Sequence, residues 1–197
     1  MGLDPKGMDR LNQVALVIYI PGILAEFLDA ARLELSPGCR PRAHVTVLPP
    51  RPLAVPWQAA AEGLLVLAGE FAPFEIEAAG LAAFPATDVI YLEIARGNQE
   101  LRRLHDAAGG GCLVFDEPFP FHPHITVSQE LPPGTLARAR ELATRRWLEY
   151  TGPRSFRAEK AMFVRNGNSD GWIDLAEFSF GAVPPNGALP RQPAGQL

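Results

Sequence analysis

Cysteine is nearly absent from this chain: Cys39 and Cys112 are the only two in 197 residues. They form no CxxC unit, no zinc-ligand spacing and no disulfide framework, and reduced thiols in a cytoplasm are expected. Basic residues are not in excess either. With Lys and Arg numbering 18 against 22 Asp and Glu, the formal charge is −4. That balance excludes an extended nucleic-acid surface, which must neutralise many phosphates at once, but a small anion needs only a local positive site. No apolar run approaches the about 18 residues that would span a bilayer. Met1–Arg10 has no apolar core followed by a cleavage site, so neither export nor a membrane partner is expected. Histidine numbers only four, which makes its placement informative.

Two of the four stand in matching units. Ala43-His-Val-Thr-Val47 and Pro123-His-Ile-Thr-Val127 each contain His-x-Thr, 80 positions apart. Successive side chains of an extended strand point to opposite faces, so His44 shares a face with Thr46, and His124 with Thr126. Val45, Val47, Ile125 and Val127 fall on the reverse face as β-branched anchors. Each unit thus offers an imidazole beside a hydroxyl, a pairing suited to a phosphate.

Periodicity supplies the frame around these units. Leu11 to Ile20 is a Val- and Ile-rich run ending at Pro21-Gly22, a buried strand and turn. Ile23, Phe27, Leu28 and Ala31 follow at helical spacing towards a stop near Ser36-Pro37-Gly38. After the first motif, Leu48-Pro-Pro-Arg-Pro52 breaks the strand and Trp57 to Phe71 predicts a helix. Two strands, Phe74 to Phe84 and Val89 to Ala95, flank a turn at Pro85–Asp88. Asn98 to Ala108 is a short helix with Asn98 as N-cap and Gly109-Gly-Gly111 as its stop. That glycine run lacks the Lys-Ser/Thr continuation of a phosphate loop. Beyond the second motif, Pro132–Thr135 opens a helix to about Tyr150, with Leu136, Ala139, Leu142 and Ala143 inside. A hairpin of Ser155 to Arg165 and Trp172 to Phe180 closes the fold around Asn166–Gly171. The order repeats, and it implies an α+β fold of two pseudo-symmetric lobes, each an antiparallel sheet backed by helices. A central groove would carry both His-x-Thr units. Residues 1–182 form a single bilobal domain on this reading, expected to be a monomer, and 183–197 a disordered tail.

The paired motifs, the second led in by Phe121-His-Pro-His124, resemble the two-histidine (2H) phosphoesterase superfamily, in its 2′-5′ RNA ligase and cyclic phosphodiesterase branch. The resemblance runs from about Leu11 to Phe180 and includes the closing hairpin with Trp172 at the start of its last strand. It implies that His44 and His124 are catalytic and that Thr46 and Thr126 bind phosphate oxygens. Many members carry Arg or Lys just past the second motif, where this chain has Ser128-Gln129. The partner implied is a nucleotide with a cyclic phosphate, or an RNA terminus.

The residues support the same chemistry independently. Opening a cyclic phosphodiester by water requires a base for the nucleophile and an acid for the departing ribose oxygen, and two imidazoles serve both near neutral pH. Threonine hydroxyls can bond the non-bridging oxygens, with no cofactor and no metal. The working assignment takes His124 as base and His44 as acid. Arg42, Arg51 and Phe121 are candidate substrate contacts, Arg42 and Arg51 as phosphate-orienting groups or exposed arginines. A competing reading makes His44, His122 and His124 metal ligands. His122 is otherwise a rim residue and His105 a structural or exposed one. Beside the enzyme stands a second class, a binding module that holds a nucleotide without turnover.

Overall fold

The structure, a computed structural model, describes residues 13–37, 42–167 and 171–182. The expected tail at 183–197, the first residues of the chain, Cys39 and part of the Asn166–Gly171 loop lie outside the described residues. Eight strands and four α-helices follow in order among the described residues: β1 (Val14–Tyr19), α1 (Gly22–Leu35), β2 (His44–Arg51), α2 (Trp57–Gly69), β3 (Phe74–Ala83), β4 (Ile90–Arg96), α3 (Asn98–Ala108), β5 (His124–Ser128), α4 (Leu136–Glu149), β6 (Ser155–Ala158), β7 (Lys160–Asn166) and β8 (Trp172–Ser179), with a 3-10 turn at Gly111–Leu113 after α3. No helix among the described residues is long and apolar enough to cross a membrane.

All eight strands join one antiparallel sheet in the order β6-β3-β4-β5-β2-β1-β7-β8. Its two four-stranded halves meet where β5 pairs with β2, so the motif strands are neighbours at the centre. Each half draws on both halves of the chain, because β3 and β4 join β5 instead of staying with β1 and β2. The run from Ser155 to Arg165, expected as one strand, breaks at Glu159. The piece before it pairs with β3, at one end of the sheet order, and the piece after it pairs with β1, six places along. In a flat sheet those places lie about 29 Å apart at ~4.8 Å per strand, whereas one intervening residue reaches no more than about 7.6 Å. The sheet is therefore curled until its ends approach. Glu159 itself accepts a backbone hydrogen bond from Phe180 N–H, beyond β8, at 2.8 Å.

The helices cover one face of the sheet over a single large core that includes Leu28, Val45, Val47, Leu101, Ile125, Trp147 and Phe163. In α1 the buried stripe is Leu24, Leu28, Ala31 and Arg32, and Ile23, expected inside, is 55% exposed. In α4 it is Ala139, Ala143 and Trp147. The N-cap of α3 is Gly97 and not Asn98. Gly97 has φ +89 and a Cβ there would lie 2.6 Å from the Glu75 carbonyl oxygen, so only glycine fits. Asn98, one residue on, instead accepts a hydrogen bond from Arg102 Nε at 2.8 Å.

Arg51 departs most from expectation. It is 1% exposed, neither a ligand contact on an open face nor a solvated arginine. Its guanidinium donates to the carbonyls of Pro49 at 3.0 Å and Leu113 at 2.8 Å and to Glu117 Oε1 at 2.5 Å. It thereby ties the end of β2 to the 113–117 segment. Removing one partner of a buried pair strands the other, so Arg51→Ala should lower unfolding free energy by ~3 kcal/mol. Arg51→Lys should recover only part, for want of the planar fork. Urea unfolding measures both, and a loss below ~1 kcal/mol for Arg51→Ala would refute the tie.

Candidate functional site

The central strand pair brings the two motifs together. Val45 lies opposite Ile125, and antiparallel order then sets His44 across from Thr126 and Thr46 across from His124. Val45, Val47, Ile125 and Val127 are buried in the core, while His44, Thr46, His124 and Thr126 are half-buried on the reverse face. Two imidazoles and two hydroxyls thus occupy the corners of a quadrilateral around a local two-fold. The histidines lie on its diagonal, about 7–8 Å apart at the backbone for such neighbours. Two side chains of that reach can address opposite sides of one phosphorus.

Each histidine is oriented by the same device. His44 Nδ1–H donates to the Arg42 carbonyl at 2.6 Å, and His124 Nδ1–H donates to the His122 carbonyl at 2.6 Å. A carbonyl can only accept, so the proton is on Nδ1 and the Nε2 lone pair of each neutral ring is left for chemistry.

The surroundings differ between the two. Tyr19, opposite His44 on β1, meets it edge-on at 6.4 Å, carries the Arg42 guanidinium 3.7 Å above its ring, and donates its hydroxyl to Asp174 Oδ1 at 2.6 Å. Arg42 is also paired with Asp174. On the other side Glu93, opposite His124 on β4, accepts from His122 Nε2 at 3.1 Å and from the Tyr91 hydroxyl at 3.2 Å. Phe84 and Tyr91 pack against the His124 ring at 5.1 and 5.3 Å.

These environments set the protonation order. Enclosure lowers the pKa of His44 first, with the positive charges of Arg32, His124 and Arg42 adding to it, down to about 4. His124 is lowered by enclosure too, and by His122, but the Glu93 carboxylate opposes the shift. A proton shared by the pair therefore prefers His124, the opposite order to the one needed with His124 as base and His44 as acid.

The remaining candidates have definite places. Arg42 is on the open face beside His44. Phe121 stacks on His105 with ring centroids 3.8 Å apart, and His105 Nδ1–H donates to the Val47 carbonyl at 2.8 Å, so His105 braces the motif strand from α3. His122 sits at the rim of the His124 site, bonded to Glu93. Ser128 is buried, its hydroxyl 3.0 Å from that of Ser36. Cys112 is exposed. Among the described residues, no three His, Cys, Asp or Glu side chains are grouped to hold a metal ion. Tyr19, Tyr91, Glu93 and Asp174 escaped the sequence because only strand register brings them beside the histidines.

Comparison with known proteins gives a consistent set. A family model described as the 2′-5′ RNA ligase superfamily matches residues 21–170. A Geobacillus kaustophilus protein with a provisional phosphoesterase name is 29% identical over 126 residues, spanning 59% of this chain and 69% of that protein. A similarly named protein of Geobacillus thermodenitrificans is 31% identical over 127 residues, with the same shares. Among solved structures, E. coli LigT complexed with NADP+ matches with a TM-score of 0.60 at 16% identity, covering 87% of this chain and 99% of that one. LigT complexed with 3′-AMP matches with a TM-score of 0.58 at 19% identity, covering 86% and 98%. The likeness to LigT is one of fold.

Proposed function

This chain belongs to the 2′-5′ RNA ligase superfamily, a family of phosphoesterase type, and from that premise we propose that it acts without metal on a 2′,3′-cyclic or 2′-5′ phosphodiester of a nucleotide or RNA end. The observation that carries the proposal is the quadrilateral of two histidines and two threonines on one open face. Hydrolysis of a cyclic phosphate proceeds with His44 Nε2 taking a proton from water as its oxygen attacks phosphorus. His124 Nε2–H gives a proton to the ribose oxygen as the opposite P–O bond breaks. Thr46 and Thr126 donate to the non-bridging oxygens, whose charge shifts in the transition state. The reverse sequence forms a diester from a ribose hydroxyl. Solved relatives in complex with 3′-AMP and with ATP support a nucleotide as the class of ligand.

The test is a substrate panel assayed after exhaustive chelation: 2′,3′-cyclic nucleotides, ADP-ribose 1″,2″-cyclic phosphate and 2′-5′ linked oligonucleotides. Turnover of at least one, undiminished by EDTA, is expected. Loss on chelation with recovery on zinc or manganese would favour a metal site drawing on His44, His122 and His124. Tight binding across the panel with no turnover would favour the nucleotide-binding module.

A further inference from the structure

Both histidines depend on the carbonyl two residues upstream, so that carbonyl must itself be held. Before His124 it belongs to the His122–Pro123 peptide, which has no N–H and whose following ring fixes the backbone. Before His44 it belongs to the Arg42–Ala43 peptide, which has no such ring. There the peptide N–H of Ala43 donates to Asp29 Oδ1 at 2.8 Å. Asp29 lies on α1, beneath the entry to β2, and Ala43 is 1% exposed.

We propose that Asp29 is a positioning residue for His44, acting through the Arg42–Ala43 peptide that lies between the carboxylate and the imidazole. This extends the acid–base reading of His44 given above. The peptide is gripped from both sides: its N–H by Asp29 at 2.8 Å and its carbonyl oxygen by His44 Nδ1–H at 2.6 Å. A carboxylate on the N–H polarises the amide and makes the carbonyl a stronger acceptor, as hydrogen bonds in a chain reinforce one another. That strengthens the bond which keeps the proton on Nδ1 and the lone pair of Nε2 towards the open face. Residue 42 is fixed at its other end too, since the guanidinium is paired with Asp174 over the Tyr19 ring. The two halves of the site thus solve one requirement by different means, a proline ring before His124 and a carboxylate before His44.

The experiment is nitrogen-15 NMR of the histidine rings in the full chain near pH 7.5, without substrate. Both catalytic rings should be in the Nδ1–H tautomer in the parent. Asp29→Ala should move His44 towards the Nε2–H tautomer and leave His124 unchanged, a selectivity that general loosening of the fold would not produce. Asp29→Asn keeps an acceptor without the charge. It should retain the tautomer but move the His44 Nδ1–H proton resonance upfield, and it serves if the alanine variant does not fold. On any substrate turned over, Asp29→Ala should lower kcat about tenfold, in keeping with the sensitivity of catalysis to small misplacements, with KM little changed. Asp29→Asn should stay near the parent rate. A folded Asp29→Ala protein with an unmoved His44 tautomer, or an Asp29→Asn protein whose His44 resonance matches the parent, would overturn the proposal. Because the tautomer is measured without substrate, a protein with shifted tautomers and no activity on the panel would count against the proposed reaction and not against the role of Asp29.

Discussion

Replacing either His44 or His124 by alanine is expected to lower kcat/KM by ~10²- to ~10⁴-fold, the range for loss of a general acid or base. Both side chains sit on the open face while their neighbours Val45 and Ile125 fill the core, so neither change should disturb the fold. The double variant should be little slower than the slower single, because groups that act in one concerted step are far from additive. Circular dichroism and melting of the variants separate loss of chemistry from loss of structure. Near-normal turnover by folded His124→Ala on the best substrate would end the two-histidine mechanism.

The pH profile and a leaving-group experiment follow from the electrostatics. His44 stays neutral down to about 4 in the free protein, and His124 is also lowered but less opposed to charge, because Glu93 faces it. On the proposed mechanism the active free form has His44 neutral and His124 protonated. Hence kcat/KM, which reports the free protein, should rise as pH passes about 4 and fall again below the ordinary imidazole value of about 6.5. An anionic phosphate bound between the rings favours their charged forms, so the kcat profile should sit at higher pH than that of kcat/KM. With a substrate whose leaving group needs no proton, His124→Ala should regain much of its lost rate and His44→Ala should not. Rescue of His44→Ala alone would restore the opposite assignment, and rescue of both or neither would dissolve the division of roles. A falling limb of kcat/KM well above 7 would show that the rings are not depressed as their surroundings require.

The motif strands were legible in the sequence because alternation is a local property: His44 and Thr46 differ from Val45 and Val47 in both chemistry and period. Helices α1, α2 and α4 were legible for the same reason, and the stop at Gly109 too. What the sequence could not show depends on partners distant along the chain. Arg51 stands beside prolines that suggest an exposed turn, and nothing local reveals that Leu113 and Glu117 will enclose it. Asp174 and Glu93 look like ordinary strand carboxylates until register places them beside Tyr19 and His124. The continuous β-propensity of Ser155 to Arg165 hides a change of partner at Glu159, since β3 and β1 each accept a strand there without any break in composition.

That change of partner has a mechanical consequence. Glu159 is the clasp of a bracelet whose opposite side is the Val45–Ile125 contact, so the curl of the sheet is fastened at the point farthest along it from the paired motif strands. Adding residues at 159 would leave every group in the site in place and would slacken the join that holds the two ends of the sheet near one another.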